Sequence, residues 1–205
     1  MHHKVFSSLH FSISLLQSWL RWDGVLGMEL TDALFDLCKS STRPIIAIDG
    51  PAGAGKTTLA EHIAAAMALK YKCVTIHMDD LYNGWDLAFD HHITDALTAA
   101  CAAHQRKERY SLSFFDWSKG EYKAASEIPQ AELLILEGVG SSQSAIRSFL
   151  TATIWIDIDP NQGLARVLSR DGNGITDQMQ SWLKIQEQHF RENESEKAAD
   201  FVLTN

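Results

Sequence analysis

Positive charge is in short supply in this chain. Its 205 residues carry 18 Lys and Arg against 26 Asp and Glu, a formal net charge of −8. A protein that tracks a nucleic-acid backbone normally has the opposite balance, so no nucleic-acid partner is expected. A small anion site remains compatible with this charge, because a few backbone N–H groups can hold a phosphate against an acidic background. Cysteine is scarce as well. Cys38, Cys73 and Cys101 are odd in number, far apart and without metal-ligand spacing. They read as reduced thiols of a cytoplasmic protein, two of them in the core, and not as a disulfide framework. Apolar runs of about 18 residues are missing, so no membrane span is expected. What is present, 45% hydrophobic and 21% charged residues, suits one globular domain with its own core.

Residues 1–27 differ from the remainder. They hold one acidic residue, Asp23, and their apolar part, Phe11–Leu16, is interrupted by Ser12 and Ser14. No signal-peptide pattern results. A weak amphipathic helix over His10–Trp22 can be drawn. The stretch is read as an extension that is disordered or, with Met28 as the start, not translated. The domain is placed at 28–205.

From there strand and helix alternate. Leu30, Ala33, Leu34 and Leu37 recur at helical spacing over Glu29–Lys39. Apolar strands without polar alternation are expected at Ile45–Ile48, Cys73–Met78, Leu133–Leu136, Thr153–Ile158 and Phe201–Leu203. Helices are expected over Lys56–Lys70, His91–Arg106, Ser144–Leu150, Pro160–Arg170 and Asp177–Glu192. Asp159 and Pro160 supply the N-cap and first position of one helix. Short extended pieces are expected around Lys119-Gly120. Such strands joined by helices imply a parallel sheet covered on both faces.

The strongest chemical signal is Gly50-Pro51-Ala52-Gly53-Ala54-Gly55-Lys56-Thr57, which fits G-x-x-x-x-G-K-[ST] between a strand and a helix. Glycines let consecutive N–H groups turn toward phosphate oxygens, and the helix start adds its positive end. Lys56 would reach the terminal phosphates and Thr57 would hold Mg²⁺. A nucleoside triphosphate, ATP, with Mg²⁺ is the implied pair.

Other candidates lie at strand ends, where open α/β sheets bind ligands. Asp79 and Asp80 follow the second strand, and one of them suits a base that takes a proton from an acceptor hydroxyl. Glu137 ends the third strand, opposite Thr57, as a metal or water-positioning acid. Arg166 and Arg170, four apart on one helix before Gly172-Asn173-Gly174, suit a small lid that clamps phosphates. Tyr110, Phe114, Phe115, Asp116 and Trp117, with Tyr82 and Trp85, would build an acceptor pocket for a planar group, Asp116 being its polar anchor. His189 reads as a surface position on its helix.

Together these pieces resemble the uridine kinase-like branch of the P-loop kinases. The matching segments are Asp49–Thr58, Met78-Asp79-Asp80-Leu81-Tyr82, Glu137-Gly138-Val139, Arg166-x-x-x-Arg170-Asp171 and Ala199-Asp200-Phe201-Val202, and the similarity spans about residues 43–203. It implies a three-layer α/β/α fold with a five-stranded parallel sheet, the phosphate-loop strand central and a small lid. It also implies Asp79 as base, Asp80 as second acid, Arg166 and Arg170 as lid arginines, and the loop through Thr58 as nucleotide site. The chain departs from the family at Phe115-Asp116-Trp117, which lacks the family's following His, Ser and Arg, and at Gly172-Asn173-Gly174, which replaces an Arg-rich run. The resemblance therefore points to a small hydroxyl acceptor without naming uridine. Two further readings stay open at this stage: a nucleoside monophosphate kinase, and a nucleotide-binding regulator that hydrolyses ATP slowly.

Overall fold

The computed structural model describes residues 9–10 and 25–205. In chain order its elements are β1 (Leu9–His10), α1 (Val25–Lys39), β2 (Ile45–Asp49), α2 (Lys56–Met67), β3 (Cys73–His77), α3 (His91–Arg106), β4 (Ser111–Leu112), β5 (Phe115–Asp116), β6 (Glu121–Tyr122), β7 (Ser126–Glu127), β8 (Leu133–Glu137), β9 (Ala152–Asp157), α4 (Pro160–Asp171), α5 (Thr176–Asn193) and β10 (Phe201–Thr204). Single 3₁₀ turns lie at Met78–Asp80, Ser144–Phe149 and Asn173–Ile175.

The main sheet runs β1-β10-β9-β2-β8-β3, with every pair parallel. The five expected strands are all present, and β2, which leads into the phosphate loop, is central. The sixth strand comes from residues 1–27. Leu9 and His10 pair with Phe201 and Val202, so part of that stretch adds to the sheet edge, and His10 is extended where a helix was drawn. The rest of that expectation lies outside the described residues. The first helix also begins earlier than Glu29, at Val25.

Alternation along the strands explains the layers, since successive side chains point to opposite faces. Ile46, Ile48, Leu133 and Ile135 pack with Leu34 of α1 and Leu59 and Ile63 of α2. Ile45, Leu134 and Leu136 pack with Leu97 of α3, Val167 of α4 and Trp182 of α5. Both faces are therefore covered, which is why the strands are apolar without polar alternation. All three cysteines are free, Cys38 and Cys101 buried and Cys73 half-buried. No helix among the described residues is long and apolar enough to cross a membrane.

Local chemistry sets the helix ends. Asp90 caps α3 by accepting from the N–H groups of His92 and Ile93. Asp159 caps α4 by accepting from Asn161 and Gln162, ahead of Pro160. Between α3 and β8 the chain leaves the sheet as a long hairpin. β5 and β6 pair Phe115 with Tyr122 and Asp116 with Glu121, and β4 and β7 pair Ser111 with Glu127 beneath them. The connection after Arg170 is a single 3₁₀ turn before α5.

His104, near the end of α3, is buried at 1% exposure and hydrogen-bonds the Pro44 carbonyl through Nε2. Burial, with Arg43 nearby, pushes its pKa down to about 4. The folded chain then binds fewer protons than the unfolded chain between that value and the ordinary histidine range near 6.5. Stability should fall as pH drops through this window, by up to about 1.4 kcal/mol per unit from this group. Urea unfolding of the parent and of His104→Gln from pH 7 to pH 4.5 checks it. The variant should show a shallower loss of stability on acidification, and parallel curves would refute the assignment.

Candidate functional site

The phosphate loop begins where β2 ends, and a buried carboxylate shapes it. Asp49 is 1% exposed. Its Oδ1 accepts from the N–H groups of Gly50 (2.8 Å) and Gly140 (2.9 Å), and its Oδ2 accepts from the N–H (3.1 Å) and hydroxyl (2.7 Å) of Ser142. Four donors offset the cost of burying that charge. They also tie the loop's first residue to Gly138–Ser142, the segment that follows β8.

The loop then curls through Gly50, Pro51, Ala52, Gly53, Ala54 and Gly55 into α2, with Gly55 as a left-handed N-cap at φ 93°. Ala54 N–H donates back to the Pro51 carbonyl. At Gly53 (φ 78°) a Cβ would sit 2.3 Å from the carbonyl oxygen of Gly163, and a Cβ on Gly163 would sit 2.6 Å from that of Ala52. The loop and the first turns of α4 thus touch backbone to backbone. A glycine inside a helix costs about 1 kcal/mol against alanine, and this approach is the reason for it. From the other side, Gln186 of α5 accepts from the Ala52 N–H at 3.1 Å.

Lys56 is 8% exposed and its Nζ donates to the Pro51 carbonyl at 2.8 Å. Burial lowers its pKa, while Asp79, Glu137 and Asp49 pull it back up. Thr57 and Thr58 follow in the first turn of α2, and the Thr57 hydroxyl donates to Glu137 Oε1 at 3.1 Å. Glu137, 5% exposed at the end of β8, bonds His77 Nδ1 through Oε2 at 2.6 Å. Asp79 stands in the 3₁₀ turn after β3, open to solvent on one side and with protein close around it on the others. That surrounding protein raises its pKa, Glu137 and Asp80 add to the rise, and Lys56 and Arg170 oppose it. Arg170 grips both oxygens of Asp171 at 2.7 Å, and Asp79 and Glu137 further favour its cationic form. Lys56, Asp79, Glu137 and Arg170 therefore lie within electrostatic reach of one another, with Thr57 bonded to Glu137, in the cleft region outside the strand ends. Hard oxygen donors from Thr57 and Glu137 within 3.1 Å of each other fit Mg²⁺ in kind. The curled loop and helix start fit a polyphosphate.

Other expected site residues are placed differently. Arg166, on the same helix as Arg170, reaches the outer side of the loop, 3.4 Å from the Gly53 carbonyl and 3.4 Å from Asn205 Oδ1. Asp80 is exposed beside Asp79. Tyr82 is not a pocket wall: it is 2% exposed, donates to the Val139 carbonyl at 2.7 Å and packs on Phe89 and Trp182. Its ring is drawn inward because Val139 offers the buried hydroxyl a partner. Asp116 is bonded within its own hairpin. It accepts from the N–H and hydroxyl of Ser118, which closes the β5–β6 turn. Tyr110 lines a small pocket between α3 and the β4–β7 ladder with Leu81, His92 and Ala96, apart from the loop. Trp85 and Trp117 do sit by the cleft. Their rings meet at 5.4 Å, and the Trp117 indole N–H donates to the Asp79 carbonyl at 2.9 Å.

Sequence reasoning missed Asp49, Gln186 and His77, and it placed His189 on the surface. His189 is buried, stacks on Phe89 at 4.0 Å and crowds Gly140. For Asp49 a signal existed: a charged residue closing an otherwise apolar strand must find donors.

Replacing Asp49 by Asn would put an amide N–H₂ against backbone donors on one of its two sides. About 1–3 kcal/mol of stability should be lost, together with much of the affinity for ATP. Thermal melts and calorimetry of Asp49→Asn check this, and an unchanged melting temperature would refute the anchor.

Solved structures share this fold. A protein from Silicibacter sp. TM1040 named as a candidate fructose transport system kinase superposes with a TM-score of 0.69 at 18% identity, covering 87% of this chain and 99% of its own. A protein from Bacillus stearothermophilus described as a possible uridine kinase superposes with a TM-score of 0.58 at 22% identity, covering 86% and 100%. The architecture is that of the P-loop NTPases, in the form these kinase-named structures adopt. A model of the AAA domain family matches residues 46–199, from β2 through the last turn before β10, and the chain therefore belongs to that family, a P-loop kinase-like domain.

Proposed function

We propose that this protein transfers the γ-phosphoryl group of ATP to a hydroxyl of a small molecule. The observation that carries the reading is Asp79, a carboxylate in the turn just past β3, close enough to Lys56, Glu137 and Arg170 for their charges to act on it. A hydrolase needs only to position water. A transferase needs a group that takes a proton from the acceptor, and Asp79 stands where such a group belongs.

The backbone N–H groups of Gly53–Thr58 bind the triphosphate. Lys56 exchanges its bond to the Pro51 carbonyl for phosphate oxygens. Thr57 and Glu137 would hold Mg²⁺, whose chemistry is to neutralise charge on the phosphate oxygens. Asp79 orients the acceptor hydroxyl and takes its proton as the new P–O bond forms and the bond to ADP breaks. The protein around it holds this carboxylate above the ordinary carboxylate range, which suits proton uptake. Arg170 stands beside Asp79 and Glu137 as the second cation of the cleft. Trp117, held to the Asp79 carbonyl, and Trp85 flank the acceptor side and limit water there.

An acceptor that itself carries a phosphate would need free cations next to Asp79. Arg106 and Arg109, the arginines of the Asp79–Tyr122 stretch, are instead paired with Glu108 (2.8 Å) and Glu127 (3.3 Å). That supports an uncharged hydroxyl acceptor over a nucleoside monophosphate.

Asp79→Asn should keep Mg-ATP affinity within about twofold and lower acceptor-dependent ADP release by roughly 10²-fold or more. Lys56→Ala should do the reverse first, losing ATP affinity outright. The assay is ADP release over nucleosides, sugars and pantothenate-like alcohols, beside calorimetry with ATP. Full transfer by Asp79→Asn would move the base to another group. A parent protein that no acceptor stimulates would leave the slow-hydrolysis regulator as the function.

A further inference from the structure

We propose that His77 is a positioning residue that fixes Glu137 for the metal–nucleotide complex; the proposal rests on the nucleotide reading above. The two residues are partners in the β3–β8 ladder, His77 opposite Glu137. Both lie on the α2 face of the sheet, His77 in phase with Cys73 and Glu137 in phase with Leu133 and Ile135. Thr57 opens α2 on that same face. The Glu137 carboxylate is consequently held at both oxygens, by the Thr57 hydroxyl at 3.1 Å and by His77 Nδ1 at 2.6 Å. With the carboxylate as acceptor, Nδ1 carries the proton.

Chain length is the reason a second holder is needed. A glutamate has one more rotatable bond than an aspartate, so at a strand end its carboxylate sweeps a wider arc. Nothing apolar can fix the angle of a carboxylate group, but a donor on the oxygen facing away from Thr57 can. His77 occupies that position, and its bond leaves Oε1 turned toward the Thr57 hydroxyl. Groups that orient a metal-facing carboxylate in this way commonly change metal affinity by 10–100-fold when removed. His77 does not itself reach toward the phosphate loop; no bond joins it to loop residues among the described contacts. Its effect therefore passes through Glu137.

The test measures binding of a non-hydrolysable ATP analogue to the full chain by calorimetry, once in EDTA and once with Mg²⁺. His77→Ala should bind the analogue in EDTA within about twofold of the parent, and the gain in affinity on adding Mg²⁺ should shrink about tenfold. His77→Asn places an amide N–H close to the Nδ1 position and should restore most of that gain. Equal loss in EDTA and Mg²⁺ would mean that His77 only supports the fold, and an unchanged Mg²⁺ gain in His77→Ala would mean that Glu137 needs no such holder. Either result overturns the proposal. A parent chain that gains nothing from Mg²⁺ would overturn the nucleotide–metal reading itself, and this proposal with it.

Discussion

One buried carboxylate organises the functional half of this molecule. Asp49 ends the central strand, and each of its lone-pair directions meets an N–H or hydroxyl from Gly50, Gly140 or Ser142. An ionised group so deep in the protein is tolerable only when it is this fully bonded. In return it sets the angle at which the chain leaves β2, and with it where the following N–H groups point. The same four bonds fix the loop after β8, against which His189 of α5 packs at Gly140. Two neighbouring strand ends are thereby held in one arrangement.

The charge pattern of the cleft follows from its surroundings. Asp49, Asp79 and Glu137 outnumber Lys56 and Arg170, in a chain that is acidic throughout. Attraction for a triphosphate therefore cannot come from side-chain charge alone. It comes from oriented backbone: the curled loop and the first turn of α2, which carry partial positive charge without titrating. Lys56 shows the same economy. Its ammonium donates to a carbonyl of its own loop, which gives the buried cation a partner.

What was legible in the sequence was local. The phosphate loop, the cap at Asp159 and the apolar strands each depend on residues close together in the chain, and all stand where their patterns place them. Glu137 opposite Thr57 was legible too, since strand ends in a parallel sheet converge on one edge. The failures are long-range. Three of Asp49's four donors lie 91 and 93 residues away, and no spacing rule carries that distance. Tyr82 lies near the acid pair in sequence, yet a carbonyl 57 residues on draws its hydroxyl inward. His189 has the polar neighbours of a surface helix position, but the ring of Phe89 and the glycine at 140 leave a slot that only a flat side chain fills.

The contact between Gly53 and Gly163 has a mechanical meaning. Most loops rest on side chains, which can change rotamer and absorb a small shift. Here two main chains bear directly on each other, with a Cβ excluded on both sides. Nothing soft lies between them, so a displacement of a few tenths of an ångström in the phosphate loop is passed whole to the start of α4. That helix is a rigid rod with Arg166 and Arg170 further along it. The phosphate loop and the helix that carries both arginines thus bear on each other at a pair of glycines.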